Sequence, residues 1–286
     1  AHAIGEGLTF LGVAVVVTAW GWRAGYWVPG LVCIVVAIGI YLMLQDRPQT
    51  LGLPPVADWK NDHWNGEKAS EERKGGIWAS QRSILKLPEI WVLALASASI
   101  YVTRYAINSW GILYLQEAKG YSLLLAGGML TANTVTGILG AIAFGYASDK
   151  LFKARRPPVN LIFGVLELAG LLLIFFGPPG KPVVMMAAFL LYGFGLTGLV
   201  TSLGGLFAID IAPKKAAGAA MGFIGVFSYV GAATQERISG YMIQRGMVIV
   251  DGVRHYDFST AIWFWVASSV VSLILATTLW RVRLRD

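Results

Sequence analysis

The sequence predicts an all-α integral membrane protein of about eight transmembrane helices, and three observations carry the prediction. Hydrophobic residues make up 56% of the 286 residues and charged residues only 14%, whereas a soluble domain carries about 25% charged residues. Several apolar runs exceed the roughly 20 residues that a helix needs to cross a bilayer. The connections between those runs also alternate between basic and nearly uncharged, as the loops of a multi-pass protein do. A formal charge of +7 could suit a nucleic acid partner. The basic residues lie between apolar runs rather than on one face, so topology accounts for them and no nucleic acid is expected. The lone Cys33 sits inside an apolar run, which gives packing and no disulfide framework.

The apolar segments run roughly over 3–20, 26–44, 90–115, 122–146, 159–177, 183–208, 216–243 and 259–280. Each is expected to be helical, because hydrocarbon cannot satisfy open backbone groups and the alternation of a β-barrel is absent. The first is under way within a few residues of Ala1, so the chain reads as beginning inside a longer protein. Trp20, Trp22, Tyr26 and Trp27 gather where the first segment gives way to the second, as an interfacial belt does. In the later segments Gly127-Gly128 and Gly204-Gly205 offer close helix approach.

Lys150, Lys153, Arg155 and Arg156 follow the fourth segment, Lys214 and Lys215 the sixth, and Arg281, Arg283 and Arg285 the eighth. The intervening connections are poorer in cations: Lys181 stands alone in one, and the stretch from Gln116 to Ser122 holds one charge of each sign. By the positive-inside rule the first set is cytoplasmic, which places the C-terminus inside a cell (inner) membrane. The one long polar connection, from Asp46 to about Pro88, falls on that same side. The expected organisation is therefore two helices over 1–45, closing an N-terminal bundle, then a cytoplasmic central linker over 46–88 and a six-helix bundle over 89–286.

Three stretches resemble a known family. Asp46-Arg47-Pro48-Gln49-Thr50-Leu51-Gly52-Leu53-Pro54-Pro55 resembles the start of the central loop in the organophosphate:phosphate antiporters of the major facilitator superfamily. Ala212-Pro213-Lys214-Lys215-Ala216-Ala217-Gly218, running on through Gly222-Phe223, Gly225, Phe227, Tyr229 and Gly231, is similar to the loop and eleventh helix of that family. Gly145-Tyr146-Ala147-Ser148-Asp149-Lys150, with Arg155-Arg156 beyond it, resembles the general cytoplasmic loop motif of the superfamily. The resemblance implies the major facilitator fold, two six-helix bundles around a central site, with this chain supplying helices five to twelve. It also implies exchange of glycerol-3-phosphate or a hexose phosphate for inorganic phosphate. One branch of the family instead senses sugar phosphate and signals to a histidine kinase.

Arg104 stands about halfway along its segment, near the bilayer midplane. A cation there costs at least roughly 2.5–3.5 kcal/mol unless it meets a partner or an aqueous cavity. Its planar fork of donors matches two phosphate oxygens, as an ammonium cannot. Tyr101 and Asn108 are spaced to share its helical face. The resemblance places a Tyr and a phosphate-binding Arg at Tyr101 and Arg104. The alternative is a structural Arg, paired with a carbonyl or with a buried acid such as Glu167 or Glu236. His2 matches a family His beside the phosphate, and imidazole titrates where it could stabilise the dianion; equally, it could be a residue at a frayed end. Tyr229 is a candidate cavity residue or simple packing.

Glu236 and Arg237 are costly in lipid and are candidates for cavity or gating charges, with a structural ion pair as the alternative. Asp149, Lys150 and Arg155 are expected to make a gating contact at the cytoplasmic ends of helices, an assignment that rests on the loop motif. Many relatives carry acids at the positions of Ser109 and Thr134, and both are neutral here. No nucleophile–base arrangement, paired interfacial acids or metal-ligand spacing is visible, so neither an enzyme nor a cofactor or metal site is expected. The expected partners are a phosphorylated small molecule, inorganic phosphate and the bilayer, with a sensor kinase if the chain belongs to the sensing branch.

Overall fold

The computed structural model describes residues 13, 16–17, 19–45, 48–54, 82, 84–212, 216–250 and 253–281. Among them, seven helices are long and apolar enough to cross a membrane. These are α1 (Ala24–Met43), α2 (Pro88–Glu117), α3 (Leu125–Leu151), α4 (Arg156–Phe176), α5 (Pro182–Ile211), α6 (Ala217–Arg245) and α7 (Ser259–Thr278). They match the second to eighth predicted segments. The first predicted segment lies mostly outside the described residues, as do most of the central linker, the Lys214-Lys215 pair and the last arginines.

The chain divides into two compact units, one of Gly5–Ala79 and one of Ser80–Asp286 together with Ala1–Ile4. In the first unit, every residue of α1 after Ala24 is partly or fully exposed. Its side chains are apolar on all sides, as suits a helix facing lipid. The second unit is the six-helix bundle. Within it α3 packs on α5, α5 on α4, α4 on α7, α7 on α2, and α2 on α6.

Lipid provides little hydrophobic drive between helices, so these contacts depend on close backbone approach and interhelical hydrogen bonds. A Cβ on Gly140 would lie 2.1 Å from the Phe194 carbonyl oxygen, and one on Gly231 would lie 2.4 Å from that of Ala98. Both glycines therefore set the distance between two helices. Buried hydroxyls add directional bonds: Ser97 pairs with Ser228 at 2.7 Å, and Ser272 donates to the Ala96 carbonyl at 2.8 Å. At one end of the bundle Lys119 donates to the Phe175 and Gly177 carbonyls, each at 3.1 Å. A cation at the C-terminus of α4 suits the negative end of that helix.

Three of the long helices contain a wide turn with i→i+5 bonding, within α2 over Ala106–Trp110, at the end of α3 over Ala147–Leu151 and within α5 over Ser202–Leu206. One residue too many for a regular turn changes the rotation of everything beyond it, and such turns are frequent at functional sites. The all-helical expectation needs one amendment. Val248–Val250 and Val253–His255 form a short antiparallel hairpin, with Val248 opposite His255. Asp251-Gly252 lies between the β-branched run Val248-Ile249-Val250 and Val253-Arg254-His255, and Asp-Gly is the composition of a two-residue hairpin turn. Beyond it, Asp257 accepts from the backbone N–H and the hydroxyl of Ser259 at the start of α7. Those two bonds hold its carboxyl below the ordinary range.

Candidate functional site

Arg104 lies near the middle of the 30-residue span of α2 and is half-buried. Its guanidinium sits over the Tyr101 ring, with Cζ 5.6 Å from the ring centroid, a contact between residues expected only to share a helical face. Tyr101 in turn meets Tyr229 of α6 edge-to-face at 5.9 Å and Tyr105 at 6.1 Å. The Tyr101 hydroxyl points to the wide turn of α5, where a Cβ on Gly204 would lie 4.0 Å from it. Arg104 is thus held by an aromatic group drawn from α2 and α6, next to a glycine turn of α5.

The backbone beneath Arg104 is anchored as well. Tyr192 of α5 donates its buried hydroxyl to the Thr103 carbonyl at 3.0 Å. That bond ties α5 to α2 one residue before Arg104.

The wide turn of α2 begins two residues after Arg104. Asn108 lies in it, half-buried, and Ser109 beside it is exposed. The predicted spacing assumed regular helix through Asn108, whereas the wide turn delays the rotation there. Ser109 consequently reaches α6, where its hydroxyl hydrogen-bonds a Glu236 carboxylate oxygen. Arg237, next to Glu236, is exposed, and Tyr229 is 59% exposed. Contacts at Ser97–Ser228, Tyr101–Tyr229 and Ser109–Glu236 climb both helices in the same direction, so α2 and α6 run parallel along one seam.

Neither acid proposed as a structural partner pairs with Arg104. Glu167 is fully buried, and one of its oxygens accepts from Ser269 of α7 at 2.5 Å. Glu236 accepts from the Ser109 hydroxyl and makes no ion pair with a described residue. His2 lies outside the described residues.

The loop motif between α3 and α4 folds differently from the expectation in one respect. Lys150 and Arg155 are exposed. The neighbouring Arg156 does the bridging: Nε donates to Asp210 at 2.8 Å, and Nη1 donates to Asp149 at 2.9 Å and to the buried Ser148 hydroxyl at 2.8 Å. Arg156 is the first residue of α4, where the positive helix end disfavours a cation, and the two carboxylates offset that. The cluster joins the end of α3, the start of α4 and the end of α5. Sequence reasoning noted the Arg155-Arg156 pair but did not choose Arg156 and did not find Asp210. The signal for Asp210 was an acid in the last turn of an otherwise apolar helix. Elsewhere, Ile84, Leu85, Ala219, Gly222, Phe223 and Val226 line an apolar cavity of about 440 Å³.

A bundle of six membrane-spanning helices with a cation on a central span has the architecture of half a membrane carrier. Comparison with known sequences agrees: residues 1–234 match the family model of the Major Facilitator Superfamily. The chain is 38% identical over 254 residues to the membrane sensor protein UhpC of Salmonella typhimurium, an alignment covering 87% of this chain and 55% of that protein. It is 34% identical over 253 residues to the glycerol-3-phosphate transporter of Bacillus subtilis (86% of this chain, 56% of that protein). With a probable hexose phosphate transport protein of Chlamydia pneumoniae it shares 35% over 246 residues (81% and 53%). The chain belongs to the major facilitator superfamily and, within it, to the organophosphate:phosphate antiporter family. It spans about half the length of the curated relatives it matches.

Proposed function

We propose that the protein moves a phosphorylated small molecule, a hexose phosphate or glycerol-3-phosphate, across the cell membrane in exchange for inorganic phosphate. The observation that carries this reading is Arg104, a half-buried cation on the central span whose guanidinium lies 5.6 Å from the centre of the Tyr101 ring. Its forked donors fit two oxygens of a phosphoryl group, the feature shared by both exchanged species. Transport follows by rocking of two bundles about such a central site, opening it to each side in turn. The names of the relatives, glycerol-3-phosphate and hexose phosphate transporters, support the substrate class. Counterflow of labelled phosphate into phosphate-loaded proteoliposomes holding the full-length protein is the test. Rapid uptake stimulated by internal phosphate is expected, and its absence excludes exchange.

A second reading has its own support: the chain is 38% identical to membrane sensor proteins of both Salmonella typhimurium and Escherichia coli. A sensor would bind the same ligand at Arg104, signal to a membrane kinase and show little counterflow. Binding without flux selects that reading.

The orientation follows from the charges. Lys214, Lys215 and the C-terminus are cytoplasmic, while Lys181 and Arg254 face outward. In a Cys33→Ser background, a cysteine at Lys181 is expected to react with an impermeant reagent on intact cells, and one at Lys214 only after lysis. The opposite pattern inverts the topology.

A further inference from the structure

We propose that Glu236, held by Ser109, is the specificity-determining residue of this site: it accepts hydrogen bonds from the hydroxyls of a phosphorylated polyol and rejects phosphorylated carboxylic acids. The assignment rests on the reading of Arg104 as the phosphoryl anchor. Both residues lie along the seam where α2 and α6 run in parallel. Ser109 follows Arg104 by five residues, a rise of roughly 7 Å along the helix axis. Glu236 therefore sits about the length of a short phosphorylated polyol beyond the anchor, on the neighbouring helix. It is half-buried on a membrane-spanning helix, and its one hydrogen bond among the described residues is to the Ser109 hydroxyl. It makes no ion pair with a described residue.

A carboxylate in such a place is costly in lipid, so it faces a polar ligand or water. An ionised carboxylate only accepts hydrogen bonds, and it offers more acceptor positions than one serine fills. Ligand hydroxyls satisfy those positions. A carboxylate on the ligand would instead meet like charge, which supplies the repulsive half of specificity. The wide turn of α2 makes this arrangement, because it brings Ser109 round to α6. With one oxygen fixed by Ser109, the carboxylate is set before the ligand arrives, and less rotamer freedom is lost on binding.

The test measures displacement of labelled inorganic phosphate from the detergent-solubilised full-length protein by glucose 6-phosphate, inorganic phosphate and 3-phosphoglycerate. Glu236→Gln is expected to weaken glucose 6-phosphate about tenfold, to leave inorganic phosphate within about twofold and to tighten 3-phosphoglycerate. Ser109→Ala is expected to weaken glucose 6-phosphate by a smaller factor, again sparing inorganic phosphate. Unchanged selectivity in Glu236→Gln overturns the assignment. So does a parallel loss of all three ligands, which would mean that Glu236 acts through the fold. If the wild-type protein binds no inorganic phosphate, the anchor at Arg104 falls, and this assignment with it.

Discussion

Arg104→Lys is expected to weaken phosphate and organophosphate binding by about tenfold to a hundredfold, because the lysine keeps the charge and loses the fork. Hydrogen bonds to charged groups are worth roughly 1.5–3 kcal/mol, and an ammonium cannot make the two parallel bonds that a guanidinium makes. Its compact charge would also rest less well on the Tyr101 ring, over which the guanidinium now lies at 5.6 Å. Arg104→Ala is expected to cost more, since the positive charge itself goes. The amount of either variant in the membrane is expected to match wild type. Neither Glu167 nor Glu236 pairs with Arg104, so its removal leaves neither acid stranded, and removing a cation from the midplane eases insertion. Ligand affinity and membrane yield, measured together, separate anchor from strut. Wild-type phosphate affinity in a well-expressed Arg104→Ala protein would remove the central claim about the site.

Arg156→Ala acts on stability rather than on the ligand. The side chain binds Asp210, Asp149 and Ser148 at the junction of α3, α4 and α5. Breaking a buried charge pair by removing one partner costs about 3–5 kcal/mol. Here Asp149 is 60% exposed on its side chain and recovers solvation easily, whereas Asp210 at 23% does not. The expected destabilisation is therefore near the lower end, about 3 kcal/mol, with a lower melting temperature in detergent. Asp210→Asn is expected to fall between wild type and Arg156→Ala, and Asp149→Asn to change little. Arg155→Ala, an exposed neighbour, is expected to stay within about 0.5 kcal/mol of wild type. Equal effects of Arg155→Ala and Arg156→Ala would show that the loop acts only through its net charge. A large loss of counterflow at preserved stability would show that the cluster works as a gate.

Much of this architecture was legible from the sequence, for a physical reason. Whether a segment crosses a bilayer is a property of its own composition and length, so the second to eighth segments agree with α1 to α7 to within a few residues. Arg104 could be singled out in the same way, because an isolated cation in an apolar run announces its cost without reference to any other residue. That Tyr101 shares its helical face followed from spacing alone, while the contact between the two came from the structure.

What the tertiary structure decided are the pairings between distant segments. Arg155 and Arg156 are equivalent by composition, and adjacent helical positions point about 100° apart. Only the arrival of Asp210 from the end of α5 selects Arg156. The wide turn over Ala106–Trp110 has no sequence signature, yet it determines that Ser109 meets Glu236 rather than lipid. Glu167 looked like a candidate counter-ion for a buried cation and is instead satisfied in part by Ser269, a hydroxyl on another helix. Hydropathy reports how each residue partitions between water and lipid. It carries no record of which helices become neighbours, and in a medium that rewards burial of apolar surface so little, the neighbours are chosen by glycine contacts and hydrogen bonds that only the folded bundle brings together.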